Sequence, residues 1–168
     1  DTSLTLFGVK MKTPAFCSAL SKSAYQSDEE MVELTRGMGQ AGSIMMLGIG
    51  GEELLQSAID TGTPVVKIVK PYRDTELIYQ KMSDAESRGC VAVGIDIDHF
   101  YGIYRDGKSD RAEIFAPKRT EEIRQAMSLT KLPFIIKGVL SLHDAERAVE
   151  IGASAIVVSN HGSGSFSF

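Results

Sequence analysis

Short apolar runs rich in β-branched residues alternate along the chain with longer polar stretches of helical period. The runs fall at 44–47, 65–69, 91–95, 134–137 and 155–159, with a weaker one at 15–18. Each is too short for a helix and nearly all apolar, as parallel strands covered on both faces require. Between the runs, Ser27-Asp28-Glu29-Glu30 has the spacing of a capping box, in which the Ser hydroxyl and the Glu carboxylate satisfy backbone N–H groups at a helix start. Met31, Leu34 and Met38 follow at helical spacing, and Gly42 can close that helix in the left-handed conformation. The pattern recurs with Leu54, Leu55, Ala58 and Ile59 up to Gly62, and with Leu77, Ile78, Met82 and Ala85 up to Gly89. Further helices are predicted after Thr120 and after Ser141, the last running through Ala145, Ala148 and Val149 to Gly152.

This β-α-β-α order predicts an α/β fold with a parallel sheet joined by right-handed crossovers. The pattern leaves open whether the sheet is doubly wound or closes into a barrel. Gly48-Ile49-Gly50-Gly51 lacks the third glycine of a dinucleotide-binding turn and reads as a strand-to-helix loop. Residues 97–118 form one long polar connection with Asp106-Gly107-Lys108-Ser109 at its tip, the length of a candidate lid.

At 168 residues the chain fits a single domain over 1–168. Its formal charge of −4 and sequence pI near 5.4, with Lys and Arg dispersed, argue against nucleic acid and for a small-molecule ligand. No apolar run approaches the roughly 18 residues of a membrane span, and Asp1-Thr2-Ser3 is not a charged leader start. A cytoplasmic location is the expectation. Cys17 and Cys90 stand far apart with no CxxC or Cys/His spacing, so no metal site is expected, and each reads as a small buried residue.

Catalytic groups of βα proteins stand at the carboxyl ends of the strands. Lys137 ends the run Phe134-Ile135-Ile136 and would present an ammonium there. Asp96 follows Ile95 in the same way, and His161 lies just beyond Val158-Ser159-Asn160. A histidine so placed can act as a base near neutral pH, and a carboxylate beside it fixes its tautomer. Pairing of Asp96 with His161 is expected from their shared strand-end position. His99 falls in the candidate lid, and His143 in the first turn of a helix reads as a solvated surface residue.

The stretch Leu132-Pro133-Phe134-Ile135-Ile136-Lys137-Gly138-Val139, then Asp144-Ala145, Gly152-Ala153 and Ile156-Val157-Val158-Ser159-Asn160-His161-Gly162, resembles the FMN-dependent α-hydroxy acid oxidases and dehydrogenases. Thr5-Leu6-Phe7-Gly8, Pro71-Tyr72-Arg73-Asp74 and Asp96 fit the same family, so the resemblance covers nearly the whole chain. It implies a (β/α)8 TIM barrel, of which the chain covers about the first six strands. The family's phosphate-binding turns follow strands seven and eight, beyond that coverage. The resemblance further implies FMN as cofactor and oxidation of a small 2-hydroxy acid to the 2-oxo acid. His161 is implied as the base and Asp96 as the residue that orients it. Lys137 is implied to lie beside N1 and O2 of the flavin, where reduction places negative charge. Cys17, Ser18 and Ala19 match the first-strand segment against the flavin, and Ser159 matches a further flavin contact. A homo-oligomer is expected.

The departures bear on the substrate. Ser163-Gly164 stand where the family has a carboxylate-clamping arginine, and no second substrate arginine is evident at 99–104. Lys70 takes the place of a substrate-facing tyrosine, Ile68 of a flavin-contacting glutamine, Gly48 of a serine and Gly94 of a threonine. Lys70 can replace part of the lost positive charge, though as a point charge without arginine's bidentate fork. Two alternatives stand beside the leading reading: another FMN barrel with a different substrate, and a catalytically silent segment that binds no flavin.

Overall fold

A computed structural model describes residues 1–20, 27–48, 50–98 and 114–161. Two short strands, β1 (Leu4–Leu6) and β2 (Val9–Met11), form an antiparallel hairpin. Six further strands make one parallel sheet: β3 (Cys17–Leu20), β4 (Met45–Leu47), β5 (Val65–Val69), β6 (Ala92–Asp96), β7 (Phe134–Val139) and β8 (Ala155–Val158). The helices between them are α1 (Asp28–Gln40), α2 (Glu52–Asp60), α3 (Thr75–Arg88), α4 (Thr120–Ser128) and α5 (Leu142–Glu150).

Each strand of the sheet lies beside its successor in the chain, in the order β3-β4-β5-β6-β7-β8. A doubly wound sheet reverses its order at a switch point, whereas a (β/α)8 barrel does not. The uninterrupted order therefore decides the question the sequence pattern left open, and the chain is the six-stranded part of such a barrel. His99, residues 99–113 of the candidate lid at 97–118 with its Asp106-Gly107-Lys108-Ser109 tip, and Ser163-Gly164 lie outside the described residues.

Helix α1 starts where the capping box places it: Glu30 N–H donates to Ser27 Oγ, and Ser27 N–H donates to Glu30 Oε2 at 2.8 Å. Gly42, Gly62, Gly89 and Gly152 follow the helices with φ between +70° and +95°, a region closed to most other residues. The hairpin was not expected from the sequence. Its turn is Phe7-Gly8, both at positive φ, the two-residue geometry that suits the twist of paired strands.

The sheet buries both faces. Val65, Val69, Val93, Ile95, Phe134 and Ile136 pack under the helices, while Ile44, Met46, Val66, Ile68, Ala92 and Ile135 form an inner cluster. The hairpin closes that inner cluster, with Met11 only 1% exposed and Leu4, Leu6, Phe7 and Val9 packed against it.

Gly94 lies in the middle of this arrangement, and a Cβ there would sit 2.4 Å from the Ile135 carbonyl oxygen and 2.8 Å from Ile135 Cβ. A side chain there would have to push the Ile135 backbone away. Gly94→Ala is expected to destabilise the fold by about 1–3 kcal/mol through overpacking, read as a lower urea midpoint. An unchanged midpoint would show that β6 and β7 can separate without cost.

Candidate active site

The alternation of a strand carries the inner face outward to its carboxyl end. On β5 the inner positions Val66 and Ile68 lead to Lys70; on β6 Ala92 and Gly94 lead to Asp96; on β7 Ile135 leads to Lys137. Asp96 and Lys137 are register partners, and Val69 pairs with Ile95 one step below. Parallel pairing thus sets three charged groups in one layer above an apolar floor, at 4%, 1% and 2% exposure for Lys70, Asp96 and Lys137.

These groups satisfy one another. Lys70 Nζ donates to Asp96 Oδ2 at 2.6 Å, and Lys137 Nζ lies 3.4 Å from Asp96 Oδ1. His161 closes the layer from beyond β8. Its Nε2 is 2.9 Å from Lys70 Nζ and 3.4 Å from Asp96 Oδ2, and its Nδ1 is 2.5 Å from Asp98 Oδ1 and 3.1 Å from Lys137 Nζ. His161 has a φ of +61°, a conformation uncommon outside glycine and concentrated at functional sites. Its backbone N–H donates to Ser159 Oγ at 3.1 Å.

Asp98 is the residue that sequence reasoning missed. It approaches His161 more closely than Asp96 does, so the expected pairing of Asp96 with His161 is present but is the longer of two carboxylate contacts. Gly138 makes room for it: with φ +99°, a Cβ there would fall 2.5 Å from Asp98 Cβ. The available signal was the Asp96-Ile97-Asp98 spacing, since residues two apart in extended chain share a face.

The electrostatics separate the two carboxylates. Burial pushes Asp96 above its ordinary value, reinforced by its hydrogen bond with Asp98 and opposed by Lys70 and Lys137. Burial also penalises the Asp98 charge, but hydrogen bonds from His161 and Asp96 with the charge of Lys137 outweigh it, holding Asp98 well below the usual carboxylate range. Lys70 is pushed down by burial, with Asp96 pulling the other way. Asp98 is therefore the ionised acceptor for the histidine.

That assignment fixes the tautomer. An ionised carboxylate at 2.5 Å accepts a hydrogen bond from Nδ1–H and so keeps the proton on Nδ1, which leaves Nε2 as the basic nitrogen. Lys70 then donates to Nε2, whereas the Lys137 ammonium merely lies beside the Nδ1–H. Asp96, Asp98 and His161 bring ligand-type atoms within 4.8 Å of one another, a spacing that admits a metal ion. Here the ammonium groups of Lys70 and Lys137 supply the positive charge to those same oxygens.

The remaining candidates lie around this layer. On β3, Cys17 packs toward the helix-side cluster and Ala19 toward the inner one, with Ser18 exposed between them. Burial raises the Cys17 thiol and pushes Cys90 up to about 11, so neither is a reactive thiolate near neutral pH. His143 is exposed on α5. Among the described residues, no helix is long and apolar enough to cross a membrane.

The profile of a family described as FMN-dependent dehydrogenase matches residues 1–121 and 108–166. Glycolate oxidase 3 of Arabidopsis thaliana is 26% identical over 96% of this chain and 54% of its own length. A 4-hydroxymandelate oxidase of Amycolatopsis orientalis is 49% identical, over 51 residues that make up 30% of this chain and 14% of that protein. A solved structure of mandelate oxidase with benzoyl-formic acid superposes with a TM-score of 0.77 at 26% identity, covering 96% of this chain and 52% of that one. A mandelate oxidase variant bearing a monooxide FMN adduct gives 0.80 at 27% identity. The chain spans about half the length of the relatives it matches.

Proposed function

Because the chain belongs to the family of FMN-dependent dehydrogenases, we propose that it supplies the catalytic residues of a flavoenzyme that oxidises a small 2-hydroxy acid to the 2-oxo acid. The observation that carries this reading is the buried layer of Lys70, Asp96 and Lys137 closed by His161. It sets a base with a fixed tautomer among preorganised positive charges, above an apolar floor that excludes water.

The residues fit FMN by the chemistry of their donors. Lys137 offers a buried ammonium at the strand ends, and no described residue accepts the hydroxyl proton of Ser159, which can be donated to a ring heteroatom. With Ser18 and Ala19 from β3, these residues would hold the flavin. FMN when bound supplies the acceptor for the two electrons that leave the substrate.

The proton chemistry falls to His161. Nε2 takes a proton from the substrate, and Asp98 on Nδ1 stabilises the imidazolium that results. In the cluster as it stands, Lys70 covers Nε2. An incoming substrate carboxylate draws the Lys70 ammonium to itself, so that binding the anion and uncovering the base become one event. Lys70 thereby takes over part of the work that the resembling family assigns to arginine. A homo-oligomer in the cytoplasm remains part of the proposal.

The flavin claim is tested by purifying the protein, releasing its chromophore with acid and weighing it by mass spectrometry. FMN near one equivalent is the expected result. Colourless protein that takes up no added FMN would overturn the reading in favour of a silent barrel segment.

A further inference from the structure

Lys67 sits where the strand pattern asks for an apolar residue. It lies between Val65 and Val69 on the helix-facing side of β5, opposite the face that leads to Lys70, and is 6% exposed. The proton chemistry proposed for His161 makes no use of it. Its ammonium carries three donors, and among the described residues one acceptor meets them, the Gly48 carbonyl at 2.6 Å. A buried cation so sparsely paired calls for a partner.

A small recess, open to solvent, lies over Lys67 between α2 and α3. Lys81 of α3 stands in its wall, half-buried, with Nζ 5.8 Å from the centre of the Tyr72 ring. Two acids also line it, but each is paired with Arg88: Asp84 Oδ1 at 2.7 Å and Glu52 Oε2 at 3.4 Å. Arg88 offsets one of these two negative charges, and Lys67 and Lys81 together leave the recess with a single positive charge in excess. Gly50 and Gly51 form its remaining edge, where α2 begins with no side-chain cap on Gly51. The first N–H groups of that helix have no intrahelical acceptor, and Gly51 and Glu52 at its start line the recess.

We propose that this recess binds a small oxyanion, of which inorganic phosphate is the simplest, on Lys67 and Lys81 at the start of α2. Neither Lys70 nor His161 lines the recess, so the site is distinct from the His161 centre, although a narrow crevice lined by Lys67, Lys70 and Lys81 adjoins both. The state of Lys67 agrees with it: burial, then the charge of Lys81, holds the amine down to about 8, against the opposing pull of Cys90 and Asp84. An anion in the recess would relieve that penalty and keep the ammonium charged.

The experiment is isothermal titration of inorganic phosphate into the flavin-loaded protein, at an ionic strength held constant with sodium chloride. Saturable binding of one phosphate is expected. Lys67→Met should weaken it at least tenfold, Lys81→Ala should weaken it several-fold, and Lys70→Met should leave it unchanged. Lys81 lies in the recess wall, so its variant tests the site even if Lys67→Met fails to fold. Affinity unchanged in both recess variants would overturn the proposal. So would binding lost only in Lys70→Met, which would place the anion at the His161 centre, or a heat that sodium chloride reproduces.

Discussion

Replacing His161 with alanine is expected to slow reduction of the flavin by about 10²–10⁴-fold, the usual worth of a positioned general base, while the flavin stays bound. The expectation rests on geometry. Nδ1 is committed to Asp98 at 2.5 Å, so the one nitrogen able to take a proton is Nε2, which faces the layer of Lys70 and Asp96. Alanine removes that acceptor and leaves both lysines and both carboxylates in place. Asp98→Asn should act in the same direction more mildly, because an amide can still accept from Nδ1 but no longer stabilises the imidazolium. Rapid mixing under anaerobic conditions, following flavin absorbance, measures both. Reduction of His161→Ala at the wild-type rate would assign the base elsewhere.

The second large effect is on stability. Asp96→Ala is expected to destabilise the fold by about 3–5 kcal/mol, because breaking a buried ion pair leaves its partner charged and unpaired. Here two lysines lose their nearest carboxylate, and Lys137 keeps only Asp98 Oδ2 at 3.8 Å. Lys70 and Lys137, 2.6 and 3.4 Å from the Asp96 oxygens, are both nearly inaccessible to water. Removing Lys70 as well, in the double variant Asp96→Ala with Lys70→Met, should recover part of the loss, since the ammonium left with no carboxylate in ion-pair reach among the described residues is then gone. Urea unfolding of the three proteins gives the comparison. A single variant with the wild-type midpoint would mean that water reaches the layer and solvates the lysines.

The sheet was legible because its strands are buried on both faces and so appear in the sequence as uninterrupted apolar runs. That same property hid Lys67, which the run 65–69 absorbs as though it were apolar, although its side chain enters the helix layer. The hairpin of β1 and β2 escaped because two strands of three residues are too short to show an alternation, and its Phe7-Gly8 turn was the available clue. At the edge of the sheet, β3 begins two residues later than the apolar run at 15–18 suggested. A register irregularity between Cys17 and Leu20 breaks the expected phase there.

Within the candidate site, Lys137, Asp96 and His161 could be read from strand-end position alone, and the structure brings all three together. Asp98 could not be ranked beside them. It lies past the end of β6, and its approach to Nδ1 depends on Gly138 at φ +99°, forty residues further along the chain. The pairing of Lys70 with both Asp96 and Nε2 was likewise out of reach. It depends on the register of β5 against β6 as well as on the two residue types.

The measurement that bears most directly on the proposed chemistry is anaerobic mixing of the flavin-loaded protein with glycolate, lactate and mandelate in turn. At least one of them should bleach the oxidised flavin and yield one equivalent of the matching 2-oxo acid per flavin, as the oxidation loses two electrons and two protons from each substrate molecule. A fully loaded flavin that stays oxidised with all three, and with larger 2-hydroxy acids, would contradict the substrate class and leave only the cofactor assignment standing.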